Sequence, residues 1–317
     1  MPAWTAKTPC RAIALVRGQR WSETEFDAAT ERAVLYEANH PNHRGAVGVS
    51  QLDHCPIGAT AQAMAMQSNP TGGAASTVDP AEIAKFSKLS AEWWDPTGRM
   101  APLHKINPHR VAFIRDAACR KFDRNPKSLS CLAGLRMIDI GCGAGLLCEP
   151  FTRLGAQVIG IDPAATNIAA AKLHADKSQL SIDYRNTTVE QMDPRERFDI
   201  VLAMEVIEHV TDVRAFLSRC AAMMKPTGMM VVATLNRNWK SFALAIVGAE
   251  YVMRWLPRGT HQWDKFVTPE ELTRFLQDSK LTVTEQSGLV YNLLADKWTL
   301  SADMDVNYMM VAENVAG

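Results

Sequence analysis

The chain has 317 residues, enough for one large domain or two small ones, and 47% of them are hydrophobic, ample for a packed core. Its 34 basic and 34 acidic residues cancel, so the basic excess that accompanies nucleic-acid binding is absent. Seven cysteines, an odd number with no C-x-x-C spacing, argue for reduced intracellular thiols rather than a disulfide framework or a zinc site.

Residues 1–77 carry no sustained helical or strand period and read as an N-terminal extension. Pro, Gly, His, Asn and Ser are scattered through 39–76, and only 23–36 has the pattern of a short helix. The apolar stretch 12–16 is too short for a signal peptide, and the acids at Glu23, Glu25, Asp27 and Glu31 do not suit a mitochondrial presequence. Met64 and Met66 stand just ahead of the patterned region, so the expected natural start is one of these two. No run of eighteen apolar residues occurs, and no transmembrane helix is expected.

The patterned domain spans 78–317 and opens at Asp79-Pro80-Ala81-Glu82, which predicts a capping box and a helix carrying Ile83, Phe86, Leu89 and Trp93. A second helix is expected from Asn107-Pro108, with Val111, Ile114 and Ala118 on one face. Then come a strand at 136–140, a helix from about 145, a strand at 157–161, a helix at 164–175 and a short strand at 181–185. The apolar runs 198–203 and 229–234 predict buried strands on either side of a helix that begins at Asp212 and ends at Lys225-Pro226-Thr227-Gly228. Thr268-Pro269-Glu270-Glu271 is another capping box, and 281–285 and 306–311 are late strands. Seven strands alternating with helices predict an α/β fold: a mostly parallel seven-stranded sheet with helices on both faces.

The most informative stretch is Met137-Ile138-Asp139-Ile140-Gly141-Cys142-Gly143-Ala144-Gly145-Leu146. It describes a buried strand, a glycine turn and a helix whose N-terminus offers unpaired N–H groups to a ligand. A dinucleotide fingerprint needs its third glycine at 146, and Leu146 stands there, which disfavours an NAD dehydrogenase. The spacing G-x-G-x-G is instead the one seen in S-adenosylmethionine (SAM) methyltransferases. Asp162, 21 residues past Gly141, closes the second strand where its carboxylate can take a ribose diol. It can equally cap the following helix before Pro163.

From about 78 to 313 the chain resembles the ubiquinone-biosynthesis O-methyltransferases, which methylate ring hydroxyls of polyprenyl phenols and quinols. The resemblance rests on Glu82 to Phe86, Trp93-Trp94-Asp95, Pro102 to Arg110, the glycine turn with Asp162, Met204 to Val210, Thr234 to Asn238, Val247 to Tyr251, Gly259-Thr260-His261 and Asp305 to Tyr308. It implies a SAM-methyltransferase (Rossmann-like) fold and SAM as cosubstrate. It implies SAM contacts at Arg110, Gly141, Gly143, Asp162 and Met204, and a cytoplasmic place on the inner membrane face in a bacterium or the mitochondrial matrix in a eukaryote. A ubiquinone-biosynthesis complex is an implied partner, and no nucleic acid is. A contrasting reading is a non-catalytic SAM-binding scaffold subunit of such a complex.

Glu205, Glu208 and His209 lie at i, i+3 and i+4, one side of a helix, and are the candidates for chemistry. Together they can hold a divalent metal such as magnesium that stabilises a phenolate. Otherwise they position the helix, with His209 as general base. The segment 239–257 is apolar, with Lys240, Arg254 and Arg258 at its margins, and is too interrupted to span a bilayer. It suits a helix lying on a membrane surface, or else a core helix or a lid.

Overall fold

The computed structural model describes residues 76–87, 90–238, 265–292, 295 and 297–315. The extension up to residue 75, with its 23–36 helix, and the apolar segment 239–257 lie outside the described residues. Residues 76–78 belong to the folded domain rather than to the extension. The Thr77 carbonyl accepts from Thr211 N, and Val78 forms a bridge to Val210.

The described elements are α1 (Pro80–Ser87), α2 (Ala101–Lys121), β1 (Arg136–Ile140), α3 (Cys148–Arg153), β2 (Gln157–Asp162), α4 (Ala165–Lys177), β3 (Asp183–Asn186), β4 (Phe198–Met204), α5 (Val213–Ala222), β5 (Met224–Leu235), α6 (Pro269–Asp278), β6 (Leu281–Asn292), β7 (Lys297–Ser301) and β8 (Asn307–Asn314). Short 3-10 turns occupy Ser90–Glu92, Val189–Gln191 and Ile207–His209. The strands form one eight-stranded sheet in the order β3-β2-β1-β4-β5-β8-β6-β7. The first five are parallel, and β8, β6 and β7 join by antiparallel pairings.

Alternation along the strands sorts the core into two layers. Met137, Ile200, Leu202, Val231 and Met309 face α2, α3 and α4. Ile138, Val201, Val232 and Met310 face α5 and α6 through Phe216, Leu217, Leu272 and Leu276. Each fully buried Leu, Ile or Phe contributes ~1.5–3 kcal/mol of burial free energy. Asp212 caps α5 by accepting from Ala215 N at 3.0 Å. Thr268 and Glu271 close the expected capping box on α6.

Five expectations are corrected. The sheet has eight strands rather than seven, because 297–301 pairs with β6 as an edge hairpin whose half-exposed residues give little apolar signal. The second helix starts at Ala101, not at Asn107. Pro102 sits in its first turn, and Pro108 is accommodated inside it while Ile106, Phe113, Ile114 and Ala118 are buried. The helix after the glycine turn begins only at Cys148 and runs six residues, so the turn itself, not a helix end, faces the site. Residues 225–228 do not end a helix. They form the first part of β5, where Asn314 Nδ2 donates to the Lys225 and Pro226 carbonyls. Asp79 caps α1 through Ala81 N at 2.9 Å, but Glu82 does not complete a capping box, because its carboxylate turns to His209 at 2.9 Å.

Gly145 fixes the turn against β3. Its φ is +85°, and a Cβ there would lie 2.1 Å from the buried Tyr184 hydroxyl. Gly145→Ala should therefore lose about 2 kcal/mol or more, from the left-handed backbone and the clash together. Urea denaturation checks this, and an unchanged midpoint would show that Tyr184 moves aside.

Candidate active site

The chain runs from β1 outward to β2 and β3, then returns to place β4 on the other side of β1. The carboxyl ends of β1 and β4 therefore diverge at a topological switch point, where open α/β sheets bind ligands. A cavity of about 400 Å³ opens there.

Its floor is the glycine turn. Gly141 N and Cys142 N both donate to the Ile161 carbonyl, at 2.8 and 3.0 Å, which ties the turn to the end of β2. Gly143 N donates to Asp162 Oδ2 at 3.0 Å, while Asp162 Oδ1 accepts from Ala164 N at 2.8 Å and Asn167 Nδ2 at 3.2 Å. Asp162 thus anchors the entry to α4 and also lines the cavity. Burial pushes its carboxyl above the usual range, and the Ala164 and Gly143 amides oppose that shift. Below the turn, burial pushes Asp139 up to about 7 against the pull of the Cys148 thiol, which donates to Oδ2 at 3.3 Å.

The roof comes from the segment ahead of β1. Trp93 lies over Gly143 so closely that a Cβ there would meet its ring at 2.5 Å. Trp94 Nε1 donates to the Ala144 carbonyl at 3.0 Å, and its ring stacks on His174 at 3.4 Å. Phe86 packs edge-on against His209 with ring centres 5.0 Å apart. Neither tryptophan was singled out as a site residue by sequence reasoning: Trp93 read as an apolar position of a helix, and Trp94 entered only as part of the stretch that carries the resemblance.

The third wall is polar. Glu205 follows β4 with a φ of 57°, in the left-handed region that costs a side-chain-bearing residue energy and is found at functional sites. Its Oε1 accepts from Arg110 NH2 on α2 and from Asn307 Nδ2 on β8, the latter at 2.6 Å. Arg110 is only 3% exposed, and its Nε meets no acceptor among the described residues. Glu208 is fully buried and accepts from the Thr234 hydroxyl at 2.8 Å. Burial, with the Glu205 carboxylate beside it, raises the Glu208 pKa well above the ordinary range. Asn307 and Thr234 also line or support this wall; both lie in stretches that carry the resemblance, but neither was singled out as a site residue, since their apolar neighbours read as plain strands.

The expected single face of Glu205, Glu208 and His209 does not form. Only Ile207–His209 is helical, and it is a 3-10 turn: the Glu205 and Glu208 carboxylates stay side by side, while His209 turns away from them to Glu82. Glu205 turns to Arg110 and Asn307, Glu208 to Thr234, and His209 Nδ1 to Glu82 at 2.9 Å. The hydrogen bond from His209 holds Glu82 at about 2, against the opposing effect of burial. Among the described residues no group of three His, Cys, Asp or Glu side chains converges as metal ligands would. The residues therefore do not fit a metal at this position. They do fit SAM: a buried guanidinium for a carboxylate, Asp162 for a ribose, a glycine turn for close approach and the soft Met204 side chain at the end of β4. The buried Oδ1 atoms of Asn107 and Asn167, both lining the cavity, also meet no donor among the described residues.

Glu208 gives this wall a pH signature. Its folded pKa lies above the unfolded value of ~4.3, so the native state holds a proton that the unfolded state releases. Stability is complete below that pH and declines as pH rises towards the folded pKa, by up to ~1.4 kcal/mol per unit. Glu208→Gln keeps the neutral form, so its thermal midpoint should gain on the parent steadily between pH 5 and pH 8. A constant difference across that range would mean that Glu208 is ionised in the fold.

Comparison with known proteins agrees with this geometry. Residues 110–286 match the family described as methyltransferase domain. The chain is 90% identical over 251 residues to the ubiquinone biosynthesis O-methyltransferase of Rhodopseudomonas palustris strain BisA53, covering 79% of this chain and 99% of that one. It is 74% identical over 252 residues to the protein of that name from Bradyrhizobium diazoefficiens, covering 80% and 100%. Among solved structures, magnesium protoporphyrin IX methyltransferase from Synechocystis PCC 6803 with bound SAM superposes with a TM-score of 0.52 at 13% identity, over 76% of this chain and all of that one, which establishes the shared fold. Sequence identity across the full length of these relatives, on a methyltransferase fold with a switch-point cavity suited to SAM, makes this chain a member of the ubiquinone biosynthesis O-methyltransferase family.

Proposed function

We propose that the protein transfers the methyl group of SAM to a ring hydroxyl of a polyprenyl phenol or quinol during ubiquinone biosynthesis. The observation that carries this reading is 74–90% identity over at least 99% of the length of relatives that bear that name. SAM supplies a methyl group already activated on a sulfonium. The protein's work is alignment of oxygen, carbon and sulfur together with removal of the hydroxyl proton. Arg110 pairs with the SAM carboxylate, Asp162 with the ribose, and Gly141, Gly143 and Met204 line the approach.

A phenol with a pKa of ~10 is a poor nucleophile at neutral pH, so a base is needed. Of the two catalytic candidates, His209 suits that role better. It lines the cavity, and Glu82 behind it orients the ring and stabilises its protonated form. Glu205 accepts from a cation and an amide at one oxygen, which disfavours protonation, and acts instead by fixing Arg110. Incubation with labelled SAM and a short-chain polyprenyl catechol should yield the methyl ether. Asp162→Ala should weaken SAM binding by about 1–3 kcal/mol in calorimetry. Absence of transfer to any prenylated phenol would sink the reading, and an unchanged SAM affinity would leave Asp162 as a helix anchor only.

A polyprenyl acceptor partitions into lipid, and the composition of 239–257 supports attachment to a membrane surface. Among the described residues no helix is long and apolar enough to cross a membrane. Lys240, Arg254 and Arg258 each add about 1 kcal/mol of attraction near anionic lipid. Co-sedimentation with vesicles should rise with anionic lipid, fall with salt and be lost when Phe242, Ile246 and Trp255 are made polar. Indifference of the parent protein to vesicles of every composition would favour a core helix or a lid.

A further inference from the structure

We infer that Asn307 is a specificity-determining residue whose side-chain oxygen accepts a hydrogen bond from the second, non-reacting hydroxyl of the acceptor ring. This rests on the reading of the protein as a methyltransferase acting on ring hydroxyls. Asn307 is 5% exposed, lines the cavity, and is the first residue of β8. Its amide orientation is fixed by chemistry: the nitrogen donates to Glu205 Oε1 at 2.6 Å, and that oxygen, already accepting from Arg110, can only accept. The Asn307 oxygen therefore points away from Glu205. It meets no donor among the described residues, although buried amide oxygens as a rule are satisfied.

Its surroundings specify what the missing donor looks like. In the sheet Asn307 is in register with Leu235 on β5 and with Leu289 on β6, so the three side chains share one face. Leu235 and Leu289 are buried and line the same cavity, with Trp298 beside them. One unsatisfied acceptor between two leucines suits a flat apolar group with a single polar edge, which is what a phenolic ring presents.

Position along the sheet separates this spot from the nucleoside end of the cofactor, while its methionine carboxylate, held by Arg110, lies near Glu205 and hence near Asn307. The other SAM anchors lie over β2, β1 and β4, at Asp162, the glycine turn and Met204. Asn307 lies on β8, two strands beyond β4, or about 10 Å at the usual strand spacing. The methyl acceptor must lie on the far side of the sulfonium from the ribose, and β5, β8 and β6 form that side. Asn307 then performs two tasks at once: its nitrogen holds Glu205, and through it Arg110, while its oxygen holds the ring in the pose that presents the neighbouring hydroxyl for methylation.

The test compares two prenylated acceptors, a catechol and the matching phenol that lacks the second hydroxyl, in the parent protein and in Asn307→Ala. The parent should favour the catechol in kcat/KM. In Asn307→Ala the catechol should lose on the order of 10- to 100-fold, mainly through KM, while the single-hydroxyl acceptor loses far less, so the preference collapses. SAM affinity by calorimetry, measured without acceptor, should fall several-fold, because Asn307 also holds Glu205 and through it Arg110, so acceptor kinetics are compared at saturating SAM; residual SAM binding reports that the variant is folded. Equal losses on both acceptors would overturn the inference and make Asn307 a support for Glu205 alone. Loss of SAM affinity with the catechol preference intact would overturn it by assigning the side chain to the cofactor's end of the cavity. Asn307→Leu, of nearly the same size, removes the acceptor without opening a cavity and serves where the alanine variant is unstable: it too should lose the catechol preference, and retention of that preference would count against the inference. Failure of the parent to methylate either acceptor would instead refute the methyltransferase reading, a result distinct from all of these.

Discussion

The site depends on one carboxylate. Glu205 leaves β4 with a left-handed backbone, and this turn brings its side chain between α2 and β8, which no regular strand exit would do. A buried guanidinium without a partner is costly, so Arg110 requires Glu205 to be ionised and in place. Burial and the adjacent Glu205 carboxylate raise the pKa of the neighbouring Glu208, which opposes two adjacent negative charges in this wall.

A second set of contacts makes the chain ahead of β1 part of the same site. Thr77 hydrogen-bonds to Glu190, Val78 bridges to Val210, Glu82 pairs with His209, and Trp94 reaches the Ala144 carbonyl. These contacts join residues 50 to 132 positions apart. They convert a segment with little local structure into the roof of the cavity. The Glu82–His209 pair sits at the join, where the carboxylate both fastens α1 and orients the imidazole.

Much of this was legible along the chain because it obeys short-range rules. The apolar runs of β1, β4 and β5, the glycine turn, Asp162 and the caps at Asp212 and Thr268 depend on neighbours within a few residues. The edge hairpin β7 was hidden because half-exposed residues on an edge strand carry no apolar period. Pro108 misled because a proline usually marks a helix end, yet the burial of the α2 face outweighs the one hydrogen bond it removes.

The sequence by itself determined the class of fold, the place of the glycine turn and Asp162, which follow from local periodicity, glycine placement and motif spacing. The family, and Arg110 and Met204 as residues that line the same cavity, came from the resemblance. Only the tertiary structure decided how Glu205, Glu208 and His209 are used. Their spacing suits one helix face, but the chain leaves β4 through a left-handed residue into a single 3-10 turn, which sends the three side chains to different partners. Those partners, Arg110, Asn307, Thr234 and Glu82, lie between 26 and 127 residues away along the chain. Spacing along a sequence constrains which residues can share a helix face, but the partner of a buried charge is set by the elements that pack against it.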